Sequence, residues 1–174
     1  MINRVDITVS GTPAGRPRAR ARAVYDQAKG KWVARSYHPK TPKHQARSKD
    51  AKAWAKANAW YEAVLLAVRP HLPSEPWAGP VRVDVDVYFE RPQRLCRRKD
   101  PSGPIPHCAT PDRDNLDKSI LDALAAAGLF LNDSQVCQGA VSKWYAAKGY
   151  GPGVRIRACP IDIQLPLTAG QEVP

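Results

Sequence analysis

Apolar residues alternate with polar ones at Val5, Ile7 and Val9, which predicts a half-buried strand over residues 4–9. A stricter alternation runs over 81–89, with Val81, Val83, Val85, Val87 and Phe89 on one face and Arg82, Asp84, Asp86 and Tyr88 on the other. Between these strands, residues 21–25 and 31–37 read as a hairpin around Lys29-Gly30. Thr41-Pro42 then reads as an N-cap with proline at the first helical position. The helix that follows carries Trp54, Ala57, Tyr61, Val64, Leu65 and Val68 at helical spacing and should stop before Pro70. That stripe suits a core or a subunit interface better than a platform for stacking bases. A second helix is expected over 115–127, burying Leu116, Ile120, Leu121 and Leu124, with Gly128 ending it. Strands near 135–146 and 153–165 follow. These elements predict a single α+β domain over 1–167, a mixed sheet packed by helices, with a flexible tail at 168–174.

Segment 91–111 breaks the pattern, with five prolines and no periodicity. A loop of about 20 residues in a compact domain is usually functional or disordered. The chain of 174 residues is long enough to fold on its core alone, and its 43% hydrophobic content argues against wholesale disorder. Its longest apolar run, 123–131, is far short of the ~20 residues of a membrane span, and the first residues do not lead into a signal segment. A cytoplasmic protein is expected. Cys96, Cys108, Cys137 and Cys159 form no C-x-x-C pair and read as reduced thiols. A zinc site from Cys96, His107 and Cys108 would lack the second close ligand pair that structural zinc uses.

Charge changes the picture. The formal net charge is +11, and residues 1–52 carry 13 Lys and Arg against Asp6, Asp26 and Asp50. Arg16, Arg18, Arg20 and Arg22 line a Gly- and Pro-rich stretch. Arg97, Arg98 and Lys99 form part of a second basic cluster. The sign reverses over 112–133, where Asp112, Asp114, Asp117, Asp122 and Asp133 oppose only Arg113 and Lys118. A basic surface attracts a polyanion, whereas clustered carboxylates repel it unless a cation lies between. Nucleic acid is therefore the favoured partner, with a basic solubility surface and an acidic helix start as the plain alternative.

The chemistry concentrates in Pro111-Asp112-Arg113-Asp114-Asn115-Leu116-Asp117-Lys118 and in Asn132-Asp133-Ser134-Gln135-Val136. An extended approach after Pro111 lets Asp112 and Asp114 point the same way. Asp114 is placed as the helix N-cap or its neighbour, and Lys118 lies one turn further on. The helix spans roughly 20 Å and an extended return over 129–133 roughly 17 Å, so Asp133 should come back beside the helix start. Three carboxylates of this kind suit a hard divalent cation such as Mg²⁺. Two such ions can activate water and stabilise the departing oxygen in phosphodiester hydrolysis, with Lys118 steadying the developing charge. The same residues also read as a helix cap, dipole-favoured acids and an i, i+4 ion pair. Asp84 and Asp86 leave a similar choice between a metal site and a solvated sheet face.

The ordered set of motifs resembles the RusA family of Holliday junction resolvases, phage and prophage endodeoxyribonucleases. It comprises the opening strand with Gly11-x-Pro13 and Arg16-Pro17-Arg18, then Tyr37-x-Pro39 with Thr41 before a long helix. Pro111-Asp112-x-Asp114-Asn115-Leu116-x-Lys118, Leu121-Asp122-Ala123-Leu124, Gly128 and Asp133-x-Gln135-Val136 follow, with Lys143 where the family favours lysine. The resemblance implies metal-binding aspartates at Asp112, Asp114 and Asp133, a catalytic lysine at Lys118, and Mg²⁺ with Mn²⁺ as a substitute. It also implies a homodimer that cuts four-way DNA junctions. DNA contacts are expected from Arg16, Arg18, Arg20, Arg22, Arg97, Arg98, Lys99 and Lys143. Rival readings are a nuclease of the same family acting on flaps, branches or single strands, and a non-catalytic junction binder. Where the family commonly has an acid before the last aspartate, this chain has Asn132.

Overall fold

Strand β4 (Val81–Phe89) buries the five apolar residues of its alternating pattern, and the rest of the main sheet is laid around it. A computed structural model describes residues 4–15, 20–37 and 49–162. On one side β4 pairs antiparallel with β8 (Gly153–Pro160), which pairs antiparallel with β1 (Val5–Ser10). On its other side β4 runs parallel to β6 (Val136–Gln138) and β7 (Val141–Tyr145), and the short β5 (Ile105–Pro106) closes that edge against β7. The sheet is mixed, with β1, β8, β4, β7 and β5 in order, as expected for the α+β class.

Expected strand 135–146 is divided at Gly139, where β4 leaves no room for a side chain. A Cβ there would lie 1.8 Å from the Val83 carbonyl oxygen, at φ +149°. The gap is bridged by Val85 N–H donating to the Ala140 carbonyl at 2.8 Å and Ala140 N–H donating to Asp84 Oδ1 at 3.0 Å.

Helices α1 (Lys49–Val68) and α2 (Arg113–Ala127) cover one face of the sheet. The expected cap at Thr41-Pro42 lies outside the described residues. Helix α1 ends before Pro70, which opens a 3₁₀ turn over Arg69–His71. Its buried face is Ala57, Trp60, Val64 and Val68, so Trp60 occupies the core position expected of Tyr61, which is half-buried. Helix α2 buries Leu116, Ser119, Ile120, Ala123 and Leu124, while Leu121 is only half-buried, and Gly128 ends it at φ 90°. The opposite sheet face is laced with ion pairs. Arg82 meets Asp84 at 2.8 Å, Arg157 meets Asp86 at 2.9 Å and Arg155 meets Asp6 at 2.8 Å. Asp84 and Asp86 are thus partners of arginines on a solvated face. Hydrogen bonding by Arg82 holds the Asp84 carboxyl below its usual range.

Hairpin β2 (Arg20–Asp26) and β3 (Lys31–Tyr37) forms a two-stranded sheet of its own, turning through Gly30 at φ 58°. Segment 91–111 is held by the buried guanidinium of Arg91. It donates to the Ala146 carbonyl at 2.9 Å, the Pro101 carbonyl at 2.7 Å and the Gly103 carbonyl. Lys148 Nζ adds bonds to the carbonyls of Arg97 at 2.6 Å and Asp100 at 2.7 Å. No described helix is long and apolar enough to cross a membrane.

Candidate active site

Asp112 is the N-cap of α2, at φ −66° and ψ 149°, yet its side chain makes no capping hydrogen bond. The backbone has the ordinary extended N-cap conformation, so this exposed carboxylate is left uncommitted to the helix's free N–H groups. Asp114 lies in the first turn, where the helix dipole favours a negative charge. Asp117, half-buried further along, has its carboxyl raised above the usual range by burial, with Arg113 pulling the other way. Asn115 touches Gly15, whose added Cβ would lie 3.0 Å from the Asn115 Cβ. Gly15 is thereby packed on the start of α2. Arg16 and Arg18 lie outside the described residues, and Arg20 and Arg22 belong to β2.

After α2 the chain returns through Phe130, which bridges to Trp77, and reaches a 3₁₀ turn over Asp133–Gln135. This brings Asp133 beside α2 at Lys118, whereas the expected gathering of Asp133 with Asp112 and Asp114 at the helix start is not seen among the described residues. Lys118 Nζ lies 3.8 Å from Asp133 Oδ2 and 3.6 Å from Asp122 Oδ1. The lysine therefore bridges to the returning segment and forms an i, i+4 pair down its own helix. Among the described residues, no three His, Cys, Asp or Glu side chains are gathered closely enough to cage a metal ion. The zinc candidates are likewise apart in role. Cys96 and Cys108 are exposed, while the His107 ring stacks on Phe89 at 4.1 Å and meets Tyr145 edge-on at 4.6 Å.

Asn132 has a definite structural task. Its Oδ1 accepts from Ser134 N–H at 2.9 Å, and Gln135 Oε1 accepts from Asn132 N–H at 2.8 Å, a capping box around Asp133. Gln135 Nε2 then donates to the carbonyls of Gly79 at 2.7 Å and Trp77 at 2.9 Å, tying the turn to the entry of β4. The spacing Asn132-x-x-Gln135 is a visible capping signal that sequence reasoning about the missing acid overlooked. Lys143, expected to contact DNA, directs its ammonium onto the carbonyls of Ala109 at 2.6 Å and Pro111 at 2.7 Å. It clamps the approach to Asp112 from β7. By contrast, Arg97, Arg98 and Lys99 stand exposed on the surface loop.

An uncharacterised protein of Bacillus subtilis (strain 168), YqaN, is 33% identical over 97 residues, covering 53% of this chain and 68% of that protein. The family model for endodeoxyribonuclease RusA matches residues 11–157, from the glycine at the end of β1 to the arginine of β8 that pairs with Asp86. With the mixed sheet, the Asp112–Lys118 helix start and the returning Asp133 all inside that match, the chain belongs to the RusA family of endodeoxyribonucleases, hydrolases that act on DNA.

Proposed function

We propose that this enzyme resolves Holliday junctions by divalent-metal-dependent phosphodiester hydrolysis, as a homodimer acting on recombination and repair intermediates in a bacterial or phage-infected cytoplasm. The observation that carries the reading is the return of Asp133 to α2, where Lys118 stands 3.8 Å from its carboxylate, in a chain of this family. Asp112, Asp114 and Asp133 supply hard oxygen donors. Two exposed carboxylates, Asp112 and Asp114, and the half-buried Asp133 suit Mg²⁺, which keeps several waters and binds through one or two carboxylates plus substrate phosphates. Mn²⁺ takes the same donors. When bound, such an ion makes water a better nucleophile and offsets charge on the phosphate.

The chain's own groups do the rest. In this reading Lys118, whose side chain is exposed on α2, offsets charge on the scissile phosphate. Arg16, Arg18, Arg20 and Arg22, which follow Gly15 in the sequence, draw the phosphate backbone toward the protein. Two such sites in a dimer match the two opposed strands that resolution must cut. Incubating a synthetic mobile four-way junction with Mg²⁺, Ca²⁺ or EDTA tests this directly. Paired symmetric nicks with Mg²⁺ alone are expected, and Asp112→Asn, Asp114→Asn and Asp133→Asn should each abolish cleavage while retaining junction binding. Cutting of flaps or single strands in preference to junctions would overturn the junction reading. Loss of folding in all three variants would favour a purely structural role for the acids.

A further inference from the structure

The β2–β3 hairpin displays two aromatic rings to solvent. Trp32 is 69% exposed and Tyr25 49% exposed, and they are register partners across the hairpin. Their centroids lie 5.6 Å apart at an interplanar angle of 70°, an edge-to-face contact that leaves aromatic surface open. Neither strand pairs with the main sheet, and the adjoining turn is pinned by Asp26, whose Oδ1 accepts from Ala28 N–H at 3.1 Å and Lys29 N–H at 3.3 Å. Over residues 20–37, Arg20, Arg22, Lys29, Lys31 and Arg35 oppose Asp26 alone.

We infer that this aromatic pair is a stacking platform for unpaired DNA bases, such as those at the centre of an opened branch point. Charge selects the occupant: a second copy of this hairpin would bring like charges together, whereas the DNA backbone neutralises them. Duplex DNA keeps its base faces covered by neighbouring pairs, so an exposed indole gains most from a base already out of the stack. In sequence the hairpin contains Arg20 and Arg22 and directly follows Arg16 and Arg18, so backbone attraction and base capture lie along one segment of the chain. The inference rests on DNA being the substrate and deepens the junction reading given above.

The test compares three probes in EDTA, where no cleavage occurs: a four-way junction, a blunt duplex of equal arm length and a single-stranded oligo-dT. Trp32→Ala should weaken binding to the junction and to oligo-dT by at least about fivefold, the low end for removing one base–aromatic stack. Duplex affinity and the salt slope should stay as in wild type, because no charge changes. Trp32→Phe should retain most of the affinity. Tryptophan emission of the wild-type protein should be quenched by oligo-dT, and Trp32→Phe should remove that quenching. Those fluorescence measurements need no disruptive substitution, so they decide the matter even if Trp32→Ala misfolds. Equal losses on all three probes, no loss on any, or a change in oligomeric mass with DNA binding intact would overturn the inference. A wild-type protein that binds duplex and junction equally would count against the junction reading instead, and the oligo-dT comparison would still judge the platform.

Discussion

Lys118 has two carboxylate neighbours, Asp122 at 3.6 Å and Asp133 at 3.8 Å, but its side chain is 70% exposed. An exposed pair contributes only about 0.3–0.5 kcal/mol, so Lys118→Ala should leave the melting temperature almost unchanged. If its ammonium offsets charge on the scissile phosphate, single-turnover cleavage at saturating enzyme and Mg²⁺ should slow by about 10²–10³-fold. Lys118→Arg should restore only part of that rate, because a planar guanidinium does not take the place of a compact ammonium. A wild-type rate in Lys118→Ala would falsify the assignment. His107 makes a different prediction. Burial, and then the nearby Lys143, hold its imidazole below the ordinary value of 6.5. The folded state therefore favours the neutral ring, and unfolding takes up protons below that value. This contribution to stability is full above pH 6.5 and is lost as acidification passes through the lower folded value. In denaturant melts, His107→Phe should keep a ring between Phe89 and Tyr145 and flatten the acid-side fall of stability. An unaltered pH profile would show that other groups cause it.

At the scale of elements, Asp133 is only as well placed as the 3₁₀ turn that carries it. Asn132→Ala removes the acceptor for Ser134 N–H and should cost about 0.5–2 kcal/mol, as the removal of a cap does. Cleavage should fall with it, because Asp133 loses its fixed relation to α2. Asn132→Asp restores the acid common in the family and keeps a capping oxygen, so it should retain wild-type stability. Thermal melts and single-turnover rates on the pair separate the two roles of this position. If Asn132→Ala cleaves at the wild-type rate despite lower stability, the turn does not set the geometry of Asp133. The opposite side of the site is steadied by Lys143, whose bonds to Ala109 and Pro111 join β7 to the residue before Asp112.

For the molecule as a whole, the uneven charge along the chain carries an expectation for DNA binding. The chain carries a formal net charge of +11 with an acidic stretch at the start of α2, and Gly15, next in sequence to the basic tract, packs against Asn115 in that helix start. Replacing Arg16, Arg18 and Arg20 with Gln should weaken binding of different DNA sequences to a similar extent. The slope of log affinity against log salt should flatten by about 0.9 for each phosphate that is no longer neutralised. A salt titration with an unchanged slope would reduce these arginines to solubility charges.

The sequence alone determined what depends on neighbours in the chain. Period-two alternation gave β1 and β4, helical spacing and Gly128 gave α2, and the ordered aspartates and Lys118 pointed to the family. Each signal is local, so it survives without knowledge of what packs on it. Tertiary structure decided what depends on distant partners. It chose Trp60 over Tyr61 for the core because the helix's rotation is set by the sheet beneath it. It split the 135–146 strand because Val83 presses on Gly139, and paired Asp86 with Arg157 because β4 and β8 adjoin. It turned Lys143 onto two carbonyls because β7 and the approach to α2, far apart in sequence, meet there. Residue type can state which groups can donate, accept or carry charge; only the fold determines which partner lies within reach.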